Sequence, residues 1–281
     1  MTPLRQKMTD KMILRGFASS TQEMYLYSAT QLSRFYNRSH ENIPYPEIEA
    51  WFLQLVKNDH LAPATIRIHF NGLKFLYCNV LGKEQFLPGL KLPKKQQKIP
   101  ELLSRGEVNA ILEATDSLRD KMLLTVCYGC GLRVSEVTSL ALSDIDSKQH
   151  LLRIEQSKGN KDRYVPLPET LIQQLREYWR ADQPATALFP GRKSALPIGI
   201  SSVQKIYTKA KRQVKIEKTG GIHSLRHAFA SHQLEKGMPL PQLKDILGHA
   251  NLSTTMRYFH WYPSNQAKSF DAVAHLNEEQ S

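Results

Sequence analysis

Apolar side chains in the first third of the chain recur at helical spacing. They define three successive segments, at residues 20–38, 48–57 and 63–81. An apolar stripe with this period is typical of helices that pack on a shared core. The sequence therefore predicts a small helical bundle, and the apolar positions behind this prediction are Met24, Tyr27, Leu32, Phe35, Trp51, Phe52, Leu55, Ile66, Phe70, Leu73, Leu76 and Tyr77.

The remainder of the chain combines helical patterns with one pair of strands. Ser104 and Glu107 form a capping box that opens a helix, and a second helix at residues 120–128 is stopped by two glycines. Short β-rich runs at residues 151–155 and 164–167 flank a polar turn and predict a hairpin. Further helices are predicted at residues 169–180, 201–215, 224–235, 241–247 and about 253–260. The fold class is thus mainly α with a small β-hairpin or sheet (α+β).

The charge of the chain points to a class of partner. Lysine and arginine number 38 against 26 acidic residues, for a formal net charge of +12. Residues 1–100 carry 14 basic and 7 acidic side chains, and the rest of the chain carries 24 and 19. A positive excess in both parts favours a polyanion as partner, and charge that only keeps the protein soluble is the alternative.

Residues 89–100 lie between the helical segments of the first third of the chain and the mixed helical and β pattern that follows. They contain two prolines and four lysines but no acidic residue, so they cannot continue a helix and suit an extended path along a phosphate backbone. We expect a helical domain at residues 1–88, a basic linker at 89–100 and a second domain at 101–281. The residues predicted to contact phosphates are Arg67 and Lys74 in the first domain, where a solvated helix face is the alternative, and Lys91, Lys94, Lys95 and Lys98 in the linker.

Cysteine content and hydropathy indicate the cellular compartment of the protein. Cys78, Cys127 and Cys130 are too few for a secreted disulfide framework, and zinc would need two more ligands than the last two offer. Residues 1–20 lack a signal-type apolar run, and no stretch approaches the roughly 20 apolar residues of a membrane span. We expect a cytoplasmic protein that contacts no membrane and needs no cofactor or metal.

Two basic residues lie beside turns in the second domain. Arg133 precedes a short helix, so its guanidinium projects from a rigid corner, where Glu136 can orient it toward phosphate oxygens. Lys158 lies next to Gly159 in the hairpin turn and can protonate a departing oxygen as a general acid. Lys161 is the alternative for that role, and a solvated turn lysine is the alternative for both.

Histidine and arginine recur near the end of the chain. His223 and Arg226 are three positions apart at a helix start and can reach one phosphate together. His227 is expected to point elsewhere, either into packing or to solvent. His249 follows Gly248 at the end of another helix. These cations and hydrogen-bond donors form a candidate phosphodiester site.

Tyr258, nine positions after the second histidine motif, is the candidate nucleophile. A phenol with a pKa of ~10 needs cationic neighbours and proton transfer before it can attack phosphorus. The arginines and histidines above would provide both. Tyr262 is the alternative nucleophile, and an aromatic run such as residues 258–262 is by itself more often part of a core.

The ordered set of these residues resembles the active site of the tyrosine recombinase family, which comprises phage integrases and Xer-like site-specific recombinases. The resemblance covers most of the chain and is strongest at residues 125–136, 157–167, 223–237 and 246–260. It implies that the catalytic residues are Arg133, Lys158, His223, Arg226, His249 and Tyr258.

The resemblance also implies an architecture and a reaction. A helical, SAM-like core-binding domain and a mixed catalytic domain would close as a clamp around double-stranded DNA that carries specific recombination sites. Attack by tyrosine would leave a 3′-phosphotyrosyl bond and a free 5′ hydroxyl, which conserves the phosphodiester energy. A homotetramer, nucleoid-associated when bound to DNA, would exchange strands through a Holliday junction. A second recombinase or an accessory protein is a further candidate partner.

One spacing refines the expected subtype. Only 65 positions separate Lys158 from His223, which leaves little room for the extra helix of integron-type integrases. A compact, Xer-like or transposon-associated recombinase is therefore the preferred interpretation.

Residues 267–276 predict a tail helix with a small apolar face, which would dock either on a neighbouring protomer or on its own domain.

Three other functions are alternatives to recombination. A type IB topoisomerase uses a similar residue set but relaxes DNA without a defined site. A DNA-binding regulator without catalysis would not need every catalytic residue type to be present. A metal-dependent DDE-type transposase needs three carboxylates, and the sequence shows no such constellation.

Overall fold

The computed structural model describes residues 2–87, 89–93, 101–157, 161–191 and 196–261, without the side chains of residues 156, 157, 161 and 259–261. The chain divides into two compact units, Met1–Lys98 and Ile99–Ser281. The expected domain limits at residues 88 and 100 stay a prediction.

Helices build the described part of the first unit. They are α1 (Pro3–Leu14), α2 (Ser19–Tyr36), α3 (Tyr45–Lys57) and α4 (Pro63–Lys74), with a 3-10 turn at His40–Asn42 and a π-helical continuation of α4 at Phe75–Val80. The three segments predicted to be helical are confirmed. Helix α1 was not predicted, because only Met8 and Met12 of this helix are buried and two positions are too few to reveal a period.

The apolar stripe of α2 is oriented differently from what its spacing suggests. Leu32 is fully buried, but Met24, Tyr27 and Phe35 are 38%, 51% and 53% exposed. The cause is the contact with α4, where a Cβ on Gly72 would lie 3.1 Å from the Cβ of Ser28. The two helices thus meet at their small residues, and part of the aromatic face of α2 turns outward.

The second unit is mainly helical with a small sheet, which confirms the fold class. Its helices are α5 (Arg105–Glu113), α6 (Leu118–Gly129), α7 (Val134–Ser139), α8 (Glu169–Asp182), α9 (Ile200–Gln213), α10 (His223–Glu235), α11 (Leu240–Leu247) and α12 (Leu252–Trp261), with a 3-10 turn at Leu142–Asp144. Its strands are β1 (Ile145–Asp146), β2 (Leu151–Ser157) and β3 (Lys161–Pro166). Ser104 caps α5, since its hydroxyl accepts the N–H of Glu107 at 3.2 Å.

The three strands form an antiparallel sheet in the order β1-β2-β3. The predicted hairpin is confirmed as β2 and β3. Strand β1 was not singled out, because its two residues show no readable alternation. Leu152 pairs with Ile145 on one side and Val165 on the other. This register turns alternate side chains of β3 inward, toward α7 and α11.

Helix α10 lies at the centre of the second unit, in contact with α5, α6, α11 and α12. Most of its side chains are buried, and they include the polar residues Ser224, Arg226, Ser231 and His232. Buried polar groups need hydrogen-bond partners, so their presence on a central helix indicates a network inside the unit.

The described residues also bear on metal binding and membrane insertion. Among the residues that the structure describes, no group of three or more His, Cys, Asp or Glu is placed to hold a metal ion. In the same residues, no helix is both long and apolar enough to span a membrane. Cys127 and Cys130 are free and buried, as expected for small core residues.

Candidate active site

Arg133 occupies the corner at which the chain enters α7. Its backbone N–H donates to the carboxylate of Glu136 at 2.8 Å. Its guanidinium donates to the same carboxylate at 2.6 Å and to the carbonyl oxygen of Gly248 at 3.1 Å. The expected salt bridge is confirmed, and it fixes a side chain that keeps 23% of its surface exposed. Arg133 can therefore meet an anion that arrives from solvent.

Glu136 is buried and receives hydrogen bonds from two arginines. Besides Arg133, Arg163 on β3 donates to both carboxylate oxygens at 2.9 Å. Nη1 of Arg226 lies 3.8 Å from the same group. Burial would raise the pKa of Glu136, but hydrogen bonds from Arg163 and Arg133 and the charge of Arg163 outweigh it and lower the pKa to about 2. One carboxylate thus holds three guanidinium groups in place.

This arrangement predicts a loss of stability in acid. Because the pKa of Glu136 is lower in the folded than in the unfolded chain, its stabilising effect is complete above pH 4.5 and is lost as the pH falls toward 2. We expect Glu136→Gln to lower the free energy of unfolding by roughly 3–5 kcal/mol at pH 7 and to weaken its pH dependence. Urea titrations at several pH values measure both effects. A variant with the wild-type acid dependence would contradict the assignment.

Arg226 on α10 is buried, with 1% of its side chain exposed. Its guanidinium donates to the carbonyl oxygen of Gly131 at 2.8 Å and to that of Leu247 at 2.6 Å. It also donates to Nε2 of His249 at 3.0 Å. Burial, followed by the charge of Arg133, lowers the pKa of Arg226 to about 10, so the group remains charged at neutral pH. Arg226 therefore joins α10 to the segments before α7 and after α11.

Gly131 supplies one of these carbonyls because no other residue fits its position. Its φ of +59° lies in the left-handed region. A Cβ there would lie 2.4 Å from Cδ1 of Phe229 and 3.0 Å from Cδ2 of Leu247. Gly131, two residues after the end of α6, thus lets the chain pass close to α10 and directs its carbonyl oxygen at Arg226.

Gly131→Ala should destabilise the second unit. We expect a cost of roughly 2–5 kcal/mol, because the left-handed backbone and the overlap with Phe229 both oppose a methyl group. Gly237→Ala is a matched control, since Gly237 has a φ of +84° but nothing within 4 Å of the added Cβ. Thermal unfolding of the two variants separates the cost of the left-handed backbone from the cost of the overlap with Phe229. Equal losses in both would show that only the dihedral angle matters.

His249 lies in the turn between α11 and α12. Its Nε2 accepts from Arg226, and its Nδ1 lies 2.9 Å from the hydroxyl of Thr255. Since arginine has only donors, Nε2 carries no proton, and the neutral ring donates from Nδ1. Burial, followed by the charges of Arg226 and Arg133, lowers the pKa of His249 to about 4. The ring is thus fixed in one tautomer at neutral pH.

His223 begins α10 and is exposed. Partial desolvation of the ring, followed by the charges of Arg226 and Arg133, lowers its pKa. The expected grouping of His223 with the arginines is therefore present in the fold. An exposed imidazole next to two guanidinium groups can approach the same anion as they do.

Tyr258 on α12 lies against this cluster, with 4% of its surface exposed. Its ring is parallel to that of His249, with 6.2 Å between centroids. Desolvation raises the pKa of the phenol, whereas the charge of Arg226 and a hydrogen bond with it, then the charge of Arg133, act in the opposite direction. A phenolate that forms here would face two guanidinium groups.

The prediction for His227 was wrong. Its Nδ1 lies 3.0 Å from the phenol oxygen of Tyr258. The reason is helical spacing, because residues four apart share a face and His227 lies four positions after His223. The two imidazole rings are perpendicular, with 4.7 Å between centroids. The same spacing would have placed His227 in the site from sequence alone.

Arg163 was also missed as a residue of the site. It lies opposite Ile154 in the sheet register, two positions before the buried Val165. An arginine at an inward position of a strand needs a buried partner, which is Glu136 here. The alternation of inward and outward side chains along β3 could have identified Arg163 from the sequence.

The other predicted residues lie apart or outside the described ranges. Arg67, Lys74 and Lys91 are exposed in the first unit, where Arg67 donates to the carbonyl oxygen of Pro93 at 3.3 Å. The predictions that fall outside the described residues concern Lys94, Lys95, Lys98, Lys158, Tyr262 and the tail helix at residues 267–276.

Comparisons with known proteins follow the same division of the chain. Residues 101–265 match the phage integrase family, and residues 4–86 match the N-terminal SAM-like domain of phage integrases. A putative integrase/recombinase of Sinorhizobium fredii is 39% identical over 260 residues, which cover 92% of this chain and 84% of that protein. The tyrosine recombinase XerA of Pyrococcus horikoshii is 31% identical over 248 residues, which cover 87% and 84%.

Solved structures share the fold at lower identity. A lambda integrase tetramer bound to a Holliday junction superposes with a TM-score of 0.74 at 16% identity, covering 91% of this chain and 76% of that one. XerH bound to its difH substrate after cleavage gives 0.69 at 21% identity, covering 91% and 80%. With the family matches above, the chain belongs to the phage integrase family and is a tyrosine recombinase, an enzyme of site-specific DNA recombination.

Proposed function

We propose that this recombinase cleaves DNA with Tyr258 as the nucleophile. The observation that carries the proposal is the position of the phenol, which lies against the rings of His227 and His249 in the field of Arg226 and Arg133. Phosphoryl transfer develops negative charge on the phosphate oxygens, and fixed guanidinium groups stabilise that charge without reorganisation. Glu136 keeps both arginines oriented before DNA arrives.

Each remaining residue has a role in this scheme. Arg133 and Arg226 bind the non-bridging oxygens of the scissile phosphate, and His223 and His249 complete the anion site. Bond formation between the phenol oxygen and phosphorus breaks the bond to the 5′ oxygen. By likeness to the family, Lys158 protonates that oxygen, and the product is a 3′-phosphotyrosyl bond with a free 5′ hydroxyl. The bond energy is conserved, so rejoining needs neither ATP nor metal.

DNA binding is proposed to involve both units. The basic face with Arg67 and Lys74 and the lysines of residues 89–100 would follow the phosphate backbone, so that the two domains close as a clamp. Lambda integrase is a tetramer in its complex with a Holliday junction. We propose the same assembly for this chain, with the tail at residues 267–276 docked either on a neighbouring protomer or on its own domain. A compact, Xer-like or transposon-associated subtype is retained.

The test is a suicide substrate, a nicked duplex that carries the sequence flanking the gene or element. The wild-type protein should form a protease-sensitive adduct at the 3′ side of the cleaved strand. The adduct should form equally well in EDTA. Relaxation of plasmids that lack any such site, without a defined adduct position, would favour the topoisomerase alternative instead.

A further inference from the structure

His227 is held against the nucleophile by the helix that also carries Arg226. Its Nδ1 lies 3.0 Å from the phenol oxygen of Tyr258, and 5.5 Å separate the centroids of the two rings. The imidazole is half-buried and contacts His223 on its other side. None of the roles assigned above uses this side chain.

The hydrogen bond between His227 and Tyr258 joins a base to an acidic hydroxyl. A neutral imidazole has one ring nitrogen without a proton, and that nitrogen accepts hydrogen bonds. In the tautomer with its proton on Nε2, the ring accepts the O–H of Tyr258 at Nδ1, and the proton can pass from the phenol to the ring. Burial, followed by the charges of His223 and Arg226, lowers the pKa of His227 to about 4. The ring is neutral at neutral pH, so Nδ1 can accept.

We propose that His227 is the general base that takes the proton of Tyr258 during strand cleavage, an inference that rests on the proposed function. As the phenol oxygen bonds to phosphorus, its proton moves to Nδ1 of His227. The bond between phosphorus and the 5′ oxygen breaks, and that oxygen takes a proton from Lys158. In the rejoining step the 5′ oxygen bonds to phosphorus and returns its proton to Lys158, while the bond between phosphorus and the phenol oxygen breaks and the imidazolium returns its proton to that oxygen. Atoms and charges therefore balance over the cycle.

DNA itself would strengthen this base. The scissile phosphate brings a negative charge beside the imidazole, and a nearby anion favours the protonated ring. The pKa of His227 therefore rises from its low value in the DNA-free protein toward the range in which proton transfer is efficient. Among the side chains that the structure describes, the charged and titratable groups that act on the His227–Tyr258 pair include His223 and Arg226 on α10, Arg257 on α12, His249 in the preceding turn, and Arg133 at the start of α7.

Single-turnover cleavage of two substrates tests the inference. One is the suicide duplex, and the other carries sulfur in place of the bridging 5′ oxygen. A thiol has a pKa of about 8.5, so this leaving group needs no general acid. We expect His227→Asn, which keeps a hydrogen-bond acceptor but no base, to slow cleavage of both substrates by roughly a hundredfold or more. Lys158→Ala should be slow only on the oxygen substrate.

The pH dependence gives a second readout. Cleavage by the wild-type protein should fall as the pH decreases through the pKa of His227 in the DNA complex, since protonation removes the base. This acid limb should disappear in His227→Asn. His232→Asn is the matched control, because His232 lies on the same helix with its Nδ1 2.9 Å from the hydroxyl of Tyr128, remote from the phosphate site. It should cleave at the wild-type rate.

Three results would overturn the inference. His227→Asn could cleave both substrates at the wild-type rate, or it could be slow yet keep the wild-type acid limb, which would indicate positioning alone. It could also be slow only on the oxygen substrate, which would make His227 the acid. If the wild-type protein itself forms no adduct, the proposed function fails together with this inference. Adduct formation by the wild type, combined with any of the three results, overturns this inference alone.

Discussion

Tyr258→Phe is expected to abolish covalent attachment to DNA and to leave binding intact. The substitution removes one oxygen atom, which is the atom proposed to attack phosphorus. The ring can still stack on His249, and the charges that hold the phosphate are unchanged. Loss of one hydrogen bond with His227 should cost only about 1 kcal/mol of stability.

The measurement compares adduct formation and gel-shift affinity on the same suicide duplex. Tyr128→Phe is a close control, because its hydroxyl also lies 2.9 Å from a histidine Nδ1 on α10 but outside the site. It should form adduct normally. Tyr262→Phe addresses the alternative nucleophile and should also remain active. An adduct with Tyr258→Phe that disappears when Tyr262 is replaced as well would move the nucleophile to Tyr262.

Arginine substitutions should produce the second large effect and separate catalysis from stability. Arg133→Ala removes a donor at the exposed edge of the site, and we expect cleavage to slow by roughly 10²–10³-fold, or about 2.7–4 kcal/mol of transition-state stabilisation. Its melting temperature should fall only slightly. Arg226→Ala should lose at least as much activity and should also unfold more easily. The reason is that the carbonyl oxygens of Gly131 and Leu247 would lose their buried donor.

The loss of stability expected for Arg226→Ala can be bounded. Each buried acceptor left without a partner costs roughly 1–3 kcal/mol, so Arg226→Ala should be less stable than wild type by a few kcal/mol. Arg226→Lys keeps the charge but cannot reach both carbonyls and His249 at once, so it should recover only part of either property. Cleavage rates and unfolding curves should be measured on the same preparations. Cleavage by Arg133→Ala at nearly the wild-type rate would exclude that residue from the site.

The sequence was sufficient for the helical elements of the second unit and for the grouping of Arg133, His223, Arg226, His249 and Tyr258. Both depend on local patterns, namely capping residues, glycines that end helices and spacings of three or four. Their catalytic roles remain predictions that the experiments above address. Whether Lys158 approaches the same phosphate depends on a turn outside the described residues.

What the sequence did not reveal depends on packing between distant segments. The bidentate contact of Arg163 with Glu136 joins residues 27 positions apart and required the sheet register as well as the position of α7. The orientation of α2 was unpredictable for a similar reason, since the close approach at Ser28 and Gly72 decides which side of the helix faces inward. His227 is different, because its spacing was visible and its expected direction was simply wrong.

The distribution of the site along the chain has a practical consequence for engineering. Arg133, Glu136 and Arg163 precede the end of α8, whereas Arg226 and Tyr258 follow the start of α9. A gene divided between these helices would place the nucleophile on one polypeptide and half of the phosphate site on the other. Neither piece would contain the paired arginines that the chemistry needs. Fused to two proteins that associate on a signal, such halves would make strand cleavage conditional on their reunion.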